Sequence, residues 1–118
     1  MSWGPTGTLR TEVCALSDID VEGGVVALVA GEAVAVFRTH DDEVFALSNY
    51  DPVGGASVLS RGIVGDRGGV PYVASPLHKQ GYDLRNGRCL DDPDTAVRAY
   101  EAGVTDGVVW VGPAKEGP

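Results

Sequence analysis

Short apolar runs broken by glycine, asparagine and aspartate dominate this chain, and a convincing helical period is hard to place. Thr8 to Leu16 alternates as a half-buried strand does. Val25 to Val29 and Ala33 to Arg38 flank Gly31-Glu32 and read as a hairpin. Asp41-Asp42 makes the next turn, and Glu43 to Leu47 is the third strand of this meander. Ile63-Val64 and Val70 to Ala74 are further short strands. Asn86-Gly87 lies between Tyr82–Arg85 and Arg88–Leu90 and predicts a type I′ hairpin, whose central residues both need positive φ. Val97 to Ala102 and Val108 to Val111 form a last hairpin across Asp106-Gly107. Only Ser17-Asp18-Ile19-Asp20 offers a helical turn, with Ser17 as its N-cap, and Gly23-Gly24 ends it at once. The pattern predicts an all-β fold of about 8 to 10 short antiparallel strands in a small barrel or sandwich.

A length of 118 residues with 43% hydrophobic content suits one globular domain. That domain is expected over residues 8–111, between flexible tails at 1–7 and 112–118 that are rich in glycine and proline. Within it, residues 48–81 differ in character. They are loop-rich, with Gly54-Gly55 and Gly68-Gly69 as turn glycines, and read as an excursion from the barrel.

Charge narrows the possible partners. A net charge of −8 argues against nucleic acid and against an anionic membrane, since both require clustered Lys and Arg. It favours a soluble protein that docks on a basic partner face. The longest apolar run, Val25 to Ala30, is too short to span a bilayer. No secretory leader is readable in Met1 to Gly7. Cys14 and Cys89 form no C-x-x-C pair and are expected as buried free thiols, so the compartment reads as cytoplasmic.

From Phe45 to Val111 the sequence resembles a Rieske-like [2Fe–2S] domain, and in detail the small subunits of assimilatory NAD(P)H-dependent nitrite reductases. The residues that carry this resemblance are Ser48-Asn49-Tyr50-Asp51-Pro52, Leu59-Ser60-Arg61-Gly62-Ile63-Val64-Gly65-Asp66 and Ala74-Ser75-Pro76-Leu77-His78-Lys79-Gln80. Leu84-Arg85-Asn86-Gly87 and Cys89-Leu90-Asp91-Asp92-Pro93 follow downstream. Leu59 to Asp66 is the segment typical of the nitrite reductase branch. The resemblance implies a ferredoxin-type Rieske fold whose cluster-binding subdomain, 48–81, is degenerate. The positions that would hold two Cys and two His read Asn49, Asp51, Ser75 and His78.

The chemistry of those residues points the same way. A Rieske cluster needs two thiolates on one iron and two imidazoles on the other. An amide and a hydroxyl are poor substitutes, and neither loop offers a thiolate. Cys14 and Cys89 fall on predicted strands outside the loops. Asp51 with His78 would make a weak two-ligand metal site. The plainer expectation is that His78 hydrogen-bonds across to the first loop and that Asp51 caps backbone N–H groups. His40 reads as a solvated turn residue. Arg61, Arg67 and Lys79 form a small basic patch, either solvated or facing an acidic ligand. No catalytic constellation is present.

The resemblance therefore implies a small, non-catalytic subunit that binds no cofactor. FAD, siroheme and an iron–sulfur cluster would belong to a large subunit that reduces nitrite to ammonium. Docking on that subunit is expected through Tyr50, Pro52, Pro76, Leu77 and Lys79, residues of the kind that anchor interfaces. Their alternative role is to brace the loops against each other. Two other readings stay open here: a Rieske-type electron carrier, which fails at three of four ligand positions, and a stand-alone Rieske-like binding or regulatory module.

Overall fold

The computed structural model describes residues 10–115. The expected tail at 1–7 lies outside them, as do residues 116–118 of the other tail. Eleven strands occur among the described residues: β1 (Thr11–Ala15), β2 (Gly24–Val29), β3 (Glu32–Arg38), β4 (Val44–Ser48), β5 (Tyr50–Asp51), β6 (Ala56–Ser57), β7 (Ile63–Arg67), β8 (Val70–Ala74), β9 (Gly81–Asp83), β10 (Ala99–Thr105) and β11 (Val108–Ala114). Two single 3-10 turns, Leu16–Asp18 and Leu59–Arg61, complete the set. A six-stranded antiparallel sheet in the order β1-β11-β10-β4-β3-β2 curls into a nearly closed barrel. Outside it stand the β5-β6 ribbon and the three-stranded β7-β8-β9 sheet.

β3 joins the two parts. The uninterrupted apolar run Val34-Ala35-Val36-Phe37 is completely buried, so both of its faces are covered. Val34 and Val36 pack inside the barrel with Val44, Ala46, Tyr100, Val109 and Val111. Ala35 and Phe37 face the other way, toward Leu59, Val64, Val73, Tyr82 and Leu84. Residues 48–84 are thus fastened to the barrel wall through a shared apolar layer.

Turn chemistry explains most of the register. Ala30-Gly31, Gly68-Gly69 and Asp106-Gly107 all have positive φ at both positions and close two-residue hairpins. The first of these lies one residue earlier than the expected Gly31-Glu32, because Glu32 pairs with Val29 as the first residue of β3. Asn86-Gly87 departs further from expectation. Only Gly87 has positive φ, and Asp83 and Arg88 are bridged across a four-residue loop instead. Leu84 is the reason: it turns into the core at 1% exposure, and Asp83 collects the Arg85 amide and guanidinium. Arg88–Leu90 then contributes two isolated bridges, Cys89 to Tyr82 and Arg88 to Ala96, rather than a strand.

Three smaller corrections follow. The first 3-10 turn is capped from Ala15, whose amide donates to the Asp18 carboxylate at 3.2 Å, and not by Ser17. β11 runs on to Ala114, so Gly112, Pro113 and Ala114 belong to the strand. Cys89 is buried as expected and Cys14 is half-buried; both are free thiols.

Candidate functional site

Strand alternation divides the first loop into two layers. Asn49 and Asp51 point inward, at 4% and 0% exposure, while Tyr50 and Pro52 point out to solvent. Asn49 fastens the loop to its surroundings in three directions. Its amide N–H donates to the Ala33 carbonyl, its carbonyl accepts from Leu59, and its side-chain Oδ1 accepts from the Ser60 amide at 2.8 Å. The Leu59–Arg61 3-10 turn is thereby held against the first loop.

Asp51 joins the first loop to the second. Its Oδ2 accepts from Ser75 Oγ at 2.5 Å, and its Oδ1 accepts from Tyr82 Oη at 3.2 Å and from the Val53 amide at 2.9 Å. Burial pushes the Asp51 carboxyl up, but the bonds from Ser75, Gly54, Val53 and Tyr82 outweigh it and hold the group below its ordinary range. Tyr82 is displaced strongly upward, by burial first and then by the Asp51 charge. Ser75 in turn accepts from the Leu77 amide, while its backbone pairs with Gln80 and Lys79. Gly54 completes the closure. A Cβ at this position would lie 2.4 Å from Leu77 Cδ1 and 3.0 Å from Asp51 Oδ2, so a side chain here would push Leu77 aside and crowd the carboxylate.

Of the four positions expected as degenerate ligands, the structure brings Asp51 and Ser75 together as a hydrogen-bonded pair, with Asn49 beside them on the same buried layer. His78 is excluded from that layer. It is exposed and, among the described residues, makes no side-chain hydrogen bond, so the expected bond to the first loop is absent. Ser75 makes that crossing instead. Tyr82, which supplies the third bond to the carboxylate, was not among the expected site residues. Its place directly after the second loop, in an apolar strand pattern, was the available signal.

These donors do not fit an iron–sulfur cluster. The Asp51 carboxylate and Ser75 hydroxyl satisfy each other, the Asn49 oxygen is taken by Ser60, and no thiol lies in either loop. Among the described residues no group of three or more His, Cys, Asp and Glu side chains is arranged to hold a metal.

The outer layer has a different composition. Tyr50 is 51% exposed and Leu77 46%, with Pro52, Pro76, His78 and Lys79 also exposed. Tyr50 and Pro52 overhang a cleft of about 290 Å³ that Glu32, Ser48, Arg98 and Tyr100 help to line. The five expected docking residues thus stand on the surface around the two loops, and none is committed to the barrel core.

Comparison with known proteins places this geometry. The sequence profile of the Rieske-like [2Fe–2S] domain family matches residues 10–112. The nitrite reductase (NADH) small subunit of Escherichia coli (strain K12) is 50% identical over 99 residues, covering 83% of this chain and 92% of that protein. The solution structure of the E. coli protein NirD superposes with a TM-score of 0.81 at 44% identity, covering 89% of this chain and 96% of the other. A further match lies inside a much longer protein, the nitrite reductase [NAD(P)H] large subunit of Klebsiella oxytoca. It is 46% identical over 100 residues, which is 85% of this chain and 10% of that protein. No helix among the described residues is long and apolar enough to cross a membrane.

Proposed function

This chain belongs to the Rieske-like [2Fe–2S] domain family, in the branch of the nitrite reductase small subunits, and from that premise we propose that it is the small, non-catalytic subunit of a cytoplasmic NAD(P)H-dependent nitrite reductase. The complex would reduce nitrite to ammonium, with FAD, siroheme and an iron–sulfur cluster held by the large subunit. This chain would bind none of them. Its part is to dock on the large subunit through Tyr50, Pro52, Pro76, Leu77 and Lys79.

The observation that carries this reading is the Klebsiella protein, in which a domain 46% identical to this chain makes up a tenth of a nitrite reductase large subunit. A module tethered to a polypeptide meets that polypeptide at high effective concentration. The same module in a separate chain must supply its own affinity, which favours an exposed apolar docking surface. The outer layer of the loops has that character, while the inner layer is closed by its own hydrogen bonds.

Co-purification with the large subunit from the same organism tests the assignment. Wild-type chain should associate and support NAD(P)H oxidation driven by nitrite. The Tyr50→Asp/Leu77→Asp variant should remain folded and lose association, because a carboxylate driven into a desolvated apolar contact costs several kcal/mol, about 3 or more. A folded double variant that binds as well as wild type would move the docking face to the barrel wall. A purified chain carrying stoichiometric iron and a visible absorption band would return the electron-carrier reading.

A further inference from the structure

The two loops carry the opposite charge to the rest of the molecule. The chain has 17 acidic and 9 basic side chains, yet Asp51 is the one carboxylate from Ser48 to Gly65, and Ala74 to Tyr82 has none. Asp51 is fully buried and commits both oxygens to Ser75, Tyr82 and Val53. Arg61, His78 and Lys79 are exposed, and among the described residues none of them makes a side-chain hydrogen bond or ion pair. They belong to one end of the molecule. Gly62, next to Arg61, lies tight against the Ala74 carbonyl, and the Lys79 amide donates to the Ser75 carbonyl.

Cations elsewhere are mostly engaged within the chain. Arg38 pairs with Asp42, Arg85 with Asp83 and Arg67 with Asp91, while Arg10 lies over Trp110. Of the expected basic patch, Arg61 and Lys79 make no ion pair among the described residues, whereas Arg67 pairs with Asp91 and stacks on Tyr72. At the opposite ends of β4 and β8 from the loops, Glu22, Asp41, Glu43 and Asp66 surround a second hollow. The molecule is polar in the electrostatic sense, with an acidic pole there and Arg61 and Lys79 at the loop end, where exposed Glu32 and Arg98 both line the cleft beneath Tyr50 and Pro52.

We infer that the face of the large subunit that receives the two loops is acidic, its carboxylates surrounding an apolar seat for Tyr50, Pro52 and Leu77. The inference rests on the small-subunit reading above. The overall charge of −8 would by itself favour a basic partner face, but contact is made through the local charge. An acidic receiving surface attracts the loop end and repels the acidic pole, so the field orients the encounter before contact. The acidic loop after Leu90 borders the cationic end. Asp91 there is committed to the Gly81 amide and Arg67, and Asp92 to Thr95 and the Asp94 amide. Asp94 is exposed, and its carboxylate accepts no hydrogen bond among the described residues. Against an acidic partner Asp94 is a repulsive neighbour.

That difference makes a test by sign. Association of wild-type chain with the purified large subunit is followed at low and moderate salt. Arg61→Glu/Lys79→Glu should weaken binding about tenfold or more at low salt, and Asp94→Asn should speed association about two- to threefold. Both effects should shrink as salt rises. Glu22→Gln/Glu43→Gln, at the acidic pole, should change affinity far less. Because Arg61 ends the packed Leu59–Arg61 turn, Lys79→Glu alone repeats the measurement with less risk to the fold. A basic receiving face reverses both signs and a neutral one silences both; either result overturns the inference while leaving the subunit reading intact. Wild-type chain that does not bind the large subunit removes that reading and this one together.

Discussion

Asn49 and Asp51 face inward while Tyr50 and Pro52 face outward, and the two layers of these loops differ in every physical respect. The inner layer is buried, and the side-chain oxygens of Asn49 and Asp51 are paired, Asn49 with Ser60 and Asp51 with Ser75, Tyr82 and Val53. The outer layer is exposed, apolar or cationic, and its side chains bond to little within the chain. In a cluster-bearing Rieske domain the inner positions would be metal ligands, each drawn to iron and so cross-linking the loops. Here a carboxylate–hydroxyl bond performs that cross-linking. The comparison teaches that a buried carboxylate–hydroxyl pair can hold two such loops together without a thiolate in either of them.

Removing Asp51 should break the inner layer with the largest effect. Asp51→Ala strips the acceptor from Ser75 Oγ, Tyr82 Oη and the Val53 amide at once, and Ser75 and Tyr82 are buried. Leaving buried donors unsatisfied costs on the order of 1–3 kcal/mol each before relaxation, so a net loss of about 2–4 kcal/mol is expected. Urea unfolding measures it. A loss under about 0.5 kcal/mol, within the range of ordinary surface changes, would show that the loops do not depend on this carboxylate.

A second, smaller effect sharpens the same point through pH. Folding lowers the Asp51 pKa, so the folded chain holds that proton less tightly than the unfolded one. Its contribution is full above the ordinary carboxylate range and is lost as pH falls through the depressed folded value. Asp51→Asn has no proton to take up. The stability gap between wild type and Asp51→Asn should therefore be widest near pH 7 and close progressively below about pH 4. Asp41, Asp83, Asp91 and Asp92 are lowered too, so both proteins should still weaken in acid. A gap independent of pH would mean that Asp51 does not titrate with folding.

How far this could be read from sequence depended on whether the deciding contact was local. Asp106-Gly107 announced its hairpin because both turn residues carry their own backbone preference. Asn86-Gly87 carries the same preference, but Leu84 is required in the core and the loop widens to let it enter. No local rule contains that demand. The reading of Asn49, Asp51, Ser75 and His78 as former ligand positions came from the family pattern, whereas the partner of Asp51 could not be read from it, since Ser75 lies 24 residues away. His78 failed in the complementary way. It matched the family's ligand and was expected to bond across to the first loop, yet its side chain points into solvent.

His78→Ala therefore carries the smallest expected effect and the clearest contrast with Asp51. An exposed imidazole without a hydrogen bond among the described residues gives up almost nothing on truncation, and unfolding should shift by no more than about 0.5 kcal/mol. A loop-bonded histidine would instead have cost about 0.5–2 kcal/mol. Association with the large subunit is the informative second measurement, because under the proposed docking an outer-layer residue would act there and not in the fold. A modest loss of binding, mostly in the association rate and reduced by salt, would set His78 at the rim of the docking face beside Lys79. A stability loss above about 1 kcal/mol would place His78 in the inner layer and erase the division between the layers. Intact association with nitrite-dependent turnover reduced by orders of magnitude would be a different failure. It would mean that His78 reaches the reacting groups of the complex, and that the residue matching the family's last ligand position had kept a part in the chemistry.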